Sequence, residues 1–217
     1  MQIADIVARC LECQRVKAEH RHPGGLLQPH EILEWKWDVI SMDFIVGLPL
    51  SSHRHDAILV TVDTLTKVAH FSPVRTTYIE KNIAQVFLRD IVRLHGVPCK
   101  IISDKDSLFT SSFWRELQSA LGTRLNFSTV YHPQTDSQTK RVNQVLEDML
   151  RMYVMDHQVK WEEYLHLVEF AYNNGHHSSI GMPPYEALYG RPCRTPLSWD
   201  RIEDQVFIGP QLVKEME

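Results

Sequence analysis

VISMDFIV, residues 39–46, decides the fold. The run is β-branched and apolar on both faces, which is how a central strand covered on each side reads. Asp43 breaks it, placing a carboxylate where an ionised group carries a desolvation penalty unless it is paired or binds a cation. Reading outward, Asp56–Asp63 (DAILVTVD) and Lys67–Val74 (KVAHFSPV) are two further strands joined by a short polar turn. The polar stretch Ser51–His55 turns the first strand into the second, so three antiparallel strands are expected. The core is expected to begin near Trp37.

Further along, Ile83, Phe87, Ile91 and Leu94 recur at helical spacing, with Gly96 and Pro98 as the stop signal. Lys100–Ser103 reads as a short strand with Asp104 just past its end. Ser111 or Ser112 caps a helix carrying Phe113, Leu117 and Leu121, which ends at Gly122; Arg124–Ser128 is a fifth strand. The longest helix is predicted over Ser137–Asp156, with Val142, Val145, Leu146, Met149, Leu150 and Tyr153 on one face. Lys140, Gln144, Glu147 and Arg151 lie on the other. Trp161–Asn173 and Pro184–Tyr189 are further helices. Trp114, Trp161, Phe170 and Tyr172 fall at helical spacing and are expected in the core or in dimer packing.

The 217 residues are 43% hydrophobic and 23% charged, figures of one ordinary globular domain rather than a disordered chain, a collagen-like repeat or a coiled-coil rod. No apolar run approaches the 18 or so residues of a membrane helix, and Met1–Cys10 lacks the order of a signal peptide, so neither membrane anchoring nor export is expected. Four cysteines, Cys10, Cys13, Cys99 and Cys193, fit an intracellular, reduced protein. With 23 Lys and Arg against 27 Asp and Glu, nucleic-acid binding needs a local basic face.

Asp43 and Asp104 form the first chemical constellation. Aspartates on adjacent central strands can share divalent cations, because Mg²⁺ prefers carboxylate oxygen and keeps several waters. Two such metals promote in-line displacement at a phosphodiester. A site of this kind usually has a third carboxylate. Taken singly, Asp104 also reads as a turn residue bonding its own backbone, and Asp43 as a loop cap or an arginine partner.

WDVISMDFIVGLP (37–49), VDTLTKVAHF (62–71), LHGVPCKIISDKDSLFTSSFW (94–114), YHPQTDSQTKRVNQVLEDMLR (131–151) and VEFAYNNGHHSSIGMPPYEALYGRPC (168–193) carry a resemblance that covers nearly the whole chain. In this order they resemble the integrase of gypsy-type LTR retrotransposons. The resemblance implies an α/β, ribonuclease-H-like core of five mixed strands flanked by helices, which joins element DNA to host DNA with Mg²⁺ or Mn²⁺. It implies a division into a zinc-module remnant (1–24), a linker (25–36), the core (37–192) and a tail (193–217). It further implies a homo-oligomer bridging two element ends, and a nuclear protein. A different nuclease on the same fold is disfavoured by the HPQTD and YEALYG segments.

In that family two aspartates and a glutamate hold the metals, with 35 residues between the second and the third. Asp43 and Asp104 match the aspartates. The third position is Lys140, within Ser137-Gln138-Thr139-Lys140-Arg141 where the family has Gly-Gln-Thr-Glu-Arg. The formal charge offered to the metals falls from −3 to −1. A unit like-charge pair 4 Å apart costs about 4 kcal/mol at an effective dielectric of 20, and a divalent ion roughly doubles that. Glu147 lies seven residues later, roughly 10 Å along the same face, too far to substitute without a backbone shift; Asp106 and Asp136 do not match the family position. Cys10 and Cys13 resemble the second half of a His-His-Cys-Cys zinc module, and Zn²⁺ is expected only if that module is complete. His132, Arg141, Asn143, Gln144 and Arg151, beside Lys140, are the candidate DNA contacts. The resemblance thus leaves two functions in contention: an impaired metal-dependent DNA strand transferase, or an inactive retroelement-derived module for nucleic-acid binding or self-association.

Overall fold

The computed structural model describes residues 10, 35–127, 142–150 and 160–194. Strands β1 (Val39–Ile45), β2 (Ala57–Asp63) and β3 (Ala69–Val74) form the expected antiparallel meander. β1 also pairs in parallel with β4 (Lys100–Ser103), which pairs in parallel with β5 (Arg124–Phe127). The sheet is therefore mixed, in the order β3-β2-β1-β4-β5. All seven residues of β2 are buried, as a strand covered on both faces requires. Pro73 sits in β3, an edge strand, where a missing N–H is tolerated. Lys67 belongs to the preceding turn, with φ 65°, rather than to the strand.

The helices are α1 (Glu80–Phe87), α2 (Ser107–Thr110), α3 (Ser112–Ala120), α4 (142–150), α5 (Trp161–Asn174) and α6 (Pro184–Tyr189). On one face of the sheet Ile40, Met42, Leu59 and Ile101 pack with Phe87, Ile91 and Trp114. On the other, Ile45, Ile58 and Val60 pack with Val142, Leu146 and Leu150 of α4 and with Trp161, Leu165, Val168 and Tyr172 of α5. The buried stripe of α5 steps by four, three and four residues. Phe170, two positions from Val168, is carried round to solvent and is 47% exposed, against expectation. Phe113 is likewise exposed: Ser111 Oγ accepts the N–H of Trp114, and the phase set by that cap turns Trp114 inward.

The largest departure from the helical reading is Leu94. α1 runs on through a π-helical turn (Leu88–Val92) into a last α-helical turn (Arg93–His95). The π turn takes in an extra residue and rotates the next turn of helix about its axis. Inward positions then fall at Ile83, Phe87, Ile91 and His95, while Leu94 is 51% exposed. His95 stacks on Trp37, with ring centroids 3.7 Å apart and planes at 4°. This phase predicts that Ile91→Ala costs about 2–5 kcal/mol in urea unfolding, whereas Leu94→Ala costs about 0.5 kcal/mol or less; similar losses at both positions would restore the unbroken helix.

Candidate functional site

In the parallel ladder Met42 is the partner of Ser103. Asp43 is the next residue on β1 and Asp104 the first residue past β4, so the spacing of paired strands, about 4.8 Å, brings their backbones close together. Alternation along β1 puts Asp43 on the face of Ile45, the face covered by α4. Its Oδ1 accepts the N–H of Phe44 at 2.9 Å, and its Oδ2 accepts Nδ2 of Asn143, on the first turn of the described part of α4, at 2.8 Å. Asp104 Oδ1 accepts the N–H of Asp106 at 3.1 Å, and Asp106 in turn caps α2 through the N–H of Leu108. The turn role and the edge position of Asp104 thus coexist.

Asn143 therefore touches Asp43, a link its spacing from Lys140 did not announce, while Gln144 is exposed. Asn143 Oδ1 is buried and has no hydrogen-bond partner among the described residues. The two carboxylates are hard donors of the kind Mg²⁺ and Mn²⁺ take and fit such an ion in donor type, while Asn143 turns its amide nitrogen, not its oxygen, to Asp43. Among the described residues no three His, Cys, Asp or Glu side chains form a metal-holding group. Lys140, His132, Arg141, Arg151 and Cys13 lie outside the described residues.

The rim of this edge is the loop between β1 and β2, which is clamped to the start of α5. Glu162 accepts from Ser51 Oγ at 2.5 Å and His55 Nδ1 at 3.1 Å, and pairs with His53 at 3.2 Å; Trp161 Nε1 donates to the Pro49 carbonyl at 2.7 Å. Burial pushes the Glu162 carboxyl up, but the hydrogen bonds from Ser51 and His55 outweigh it and leave it below the ordinary glutamate value.

A second polar group lies on the outer edge of β3, two strands from Asp43. Asn173 Oδ1 accepts the N–H of Ala69 and its Nδ2 donates to the Ala69 carbonyl, each at 2.9 Å. One helical turn earlier, Glu169 Oε2 accepts the N–H of Phe71 at 2.9 Å and Oε1 pairs with His70 Nδ1 at 3.0 Å. His70 Nε2 is 2.8 Å from His95 Nε2. These residues border an open cleft of about 560 Å³, also lined by Leu94, Phe170 and Tyr189, that includes neither Asp43 nor Asp104. Nothing in the sequence patterning singles out this polar group, because its members come from separate elements.

No protein-family model matches the chain. It is 36% identical over 205 residues, 94% of its length, to the Transposon Tf2-3 and Tf2-4 polyproteins of Schizosaccharomyces pombe, and it spans 15% of the length of those relatives. Among solved structures it is similar to the catalytic core domain of HTLV-2 integrase in complex with magnesium, with a TM-score of 0.55 at 15% identity, covering 70% of this chain and 95% of that one. The catalytic core domain of BIV integrase gives a TM-score of 0.54 at 21% identity over 69% of this chain and 92% of that one. A simian T-cell lymphotropic virus intasome in complex with PP2A regulatory subunit B56 gamma gives 0.63 at 15%, covering 89% of this chain and 69% of that one. The fold is that of an integrase catalytic core. Within this ribonuclease-H-like, integrase-core fold, Asp43 lies inside β1 just past its last pair with β4, and Asp104 is the first residue after β4.

Burial, reinforced by neighbouring His70, pushes His95 down to about 4, while Asp63 pulls weakly the other way. Neutral His95 therefore contributes stability that is complete above its ordinary value of 6.5 and is lost as pH falls from there toward about 4. The lowered carboxyls of Asp56, Asp90 and Glu162 act below that window. We expect the melting temperature to fall between pH 6.5 and 4.5, and His95→Phe, which keeps a ring on Trp37, to flatten that segment; an unchanged slope would remove His95 as its source.

Proposed function

We propose that residues 37–192 are the catalytic core of a gypsy-type LTR-retrotransposon integrase, built to engage DNA at the carboxyl edge of β1 and β4 but crippled for strand transfer by Lys140. The observation that carries this reading is that Asp43 and Asp104 each follow the last pair, Met42 with Ser103, of the parallel β1–β4 ladder. Similarity to the Tf2 polyproteins and to the integrase cores supports it.

Asp43 and Asp104 would hold the divalent ion, which when bound supplies activation of the attacking hydroxyl and stabilisation of the leaving oxygen. The chain's own part is to fix those carboxylates: the Phe44 N–H and Asn143 orient Asp43, and the Asp106 N–H orients Asp104. Lys140 at the third position leaves the ion with −1 of formal side-chain charge instead of −3. His132, Arg141, Gln144 and Arg151 would meet DNA phosphates and base edges. The HTLV-2 cores were solved in dimeric and trimeric forms, which supports self-association here. On this reading the protein works in the nucleus, residues 1–24 are the remnant of a zinc module, and Cys10 and Cys13 are half of its ligand set. Lys140 is also the observation behind a second reading, a module that binds DNA or itself without chemistry.

Mn²⁺-dependent disintegration of a branched oligonucleotide, run for the native chain beside Lys140→Glu, tests the proposal. Lys140→Glu is expected to turn over, with the native chain about 100-fold or more slower. Equal turnover would place the third ligand elsewhere. Failure of both folded proteins would remove Asp43 and Asp104 as the catalytic seat.

A further inference from the structure

We propose that Arg54, at the tip of the turn between β1 and β2, is a DNA-backbone contact that takes a phosphate of a duplex lying against the carboxyl edge of β1. This inference rests on the reading of that edge as the one that engages DNA and deepens it, because it names a contact outside α4 and outside the aspartate pair. β1 and β2 run on past their last sheet pair, Ile45 with Ile58, as a two-stranded arm. In it the Leu48 N–H donates to the Asp56 carbonyl at 3.2 Å and the Ser51 N–H to the His55 carbonyl at 2.8 Å. Ser52, His53 and Arg54 close the arm, with the Arg54 N–H returning to the Ser51 carbonyl at 2.9 Å. Because β1 leaves the sheet just beyond Asp43, the arm projects from the edge that carries the aspartates.

Arg54 has φ 66°. A three-residue hairpin turn ends in the left-handed region, where glycine is unstrained and a residue with a Cβ is not. Among the described residues Trp37 and Lys67 are the other non-glycines with positive φ, and the side chain of each is built into the fold. Trp37 stacks on His95, and Lys67 is buried with Nζ donating to the Thr64 carbonyl. Arg54 is exposed, and its guanidinium has no hydrogen bond, ion pair or ring contact among the described residues. The fold thus bears the strain of Arg54 and gains nothing from its side chain, which is the pattern of a residue that serves a ligand. The arm beneath it is braced. From one side Trp161 and Glu162 hold Pro49, Ser51 and His55. From the other, Arg75 Nη2 donates to the His53 carbonyl at 3.2 Å and Thr76 donates twice to Asp56, each at 2.7 Å. Glu162 and Asp56 are engaged by these bonds, which leaves the Arg54 charge to an outside anion. A guanidinium matches a phosphate with paired N–H groups and a permanent charge.

Fluorescence anisotropy of a labelled DNA duplex, titrated with protein over a range of salt concentrations, tests this without calling on catalysis. The proteins are the native chain, Arg54→Gly, Arg54→Lys and Arg124→Ala, the last an exposed cation at the start of β5, at the opposite edge of the sheet. Arg54→Gly is expected to melt no lower than native, because it removes the left-handed strain. It is expected to weaken binding of every duplex sequence alike and to lower the slope of log K against log salt by about one. Arg54→Lys keeps the charge and is expected to keep the native slope, and Arg124→Ala to match native in both affinity and slope. Native affinity and slope in Arg54→Gly, or an equal loss in Arg124→Ala, would overturn the contact while leaving the edge as the DNA-engaging one. A lower melting temperature for Arg54→Gly would show that the side chain supports the fold and would also overturn it. Absence of duplex binding by the native chain would overturn the DNA reading of the edge, and this contact with it.

Discussion

The parallel pairing of β1 with β4 is the constraint on which the rest of the structure depends. Parallel strands cannot be joined by a tight turn, so the chain must travel from one end of the pair back to the other before β4 can form. Here the journey is used to build β2, β3 and α1, which supply two of the five strands and much of one apolar face. Because the register pairs Met42 with Ser103, the two strands run side by side into a pair of aspartates. A slip of one residue would turn Asp43 toward the opposite core and leave Asp104 without its neighbour.

The groups around that edge hold polar atoms that the apolar sheet would otherwise reject. Asp43 is satisfied by one backbone N–H and one amide, and Asp104 by the turn that starts α2. The far edge of the sheet has its own solution. Glu169 and Asn173, one helical turn apart on α5, match the N–H groups of Phe71 and Ala69, two residues apart on β3. Helix pitch and two-residue strand rise are similar enough, about 5.4 against about 6.7 Å, for side chains to close an edge that is otherwise open to pairing. The same helix begins at Glu162, where it fixes the loop that leaves β1. One helix therefore restrains both the free edge and the rim of the site.

Much of this was legible in the residues. The five strands follow apolar runs, the polar turns mark corners, and the integrase-like motifs single out Asp43 and Asp104 before any geometry is known. The parts that could not be read depend on through-space placement. Leu94 satisfies a 3.6-residue period, and nothing local reports the π turn that exchanges it for His95. Phe170 is as apolar as Tyr172 but lies on the wrong side of α5. Asn143 reads as a DNA-facing residue until α4 is packed against β1. The Glu169–His70–His95 chain joins residues as much as 99 positions apart, which no periodicity connects.

The carboxyl-edge site exists only if Asp43 and Asp104 are neighbours. The direct measurement is oxidation of an Asp43→Cys, Asp104→Cys double variant in which Cys10, Cys13, Cys99 and Cys193 are replaced by Ser, with the intramolecular disulfide followed by mass spectrometry. Adjacent strand positions lie within the roughly 4.4–6.8 Å Cα separation that a disulfide spans, so rapid formation of a single intramolecular bond is predicted. A double variant that is folded yet keeps two free thiols, or that links only between molecules, would contradict the shared edge and the functional reading built on it.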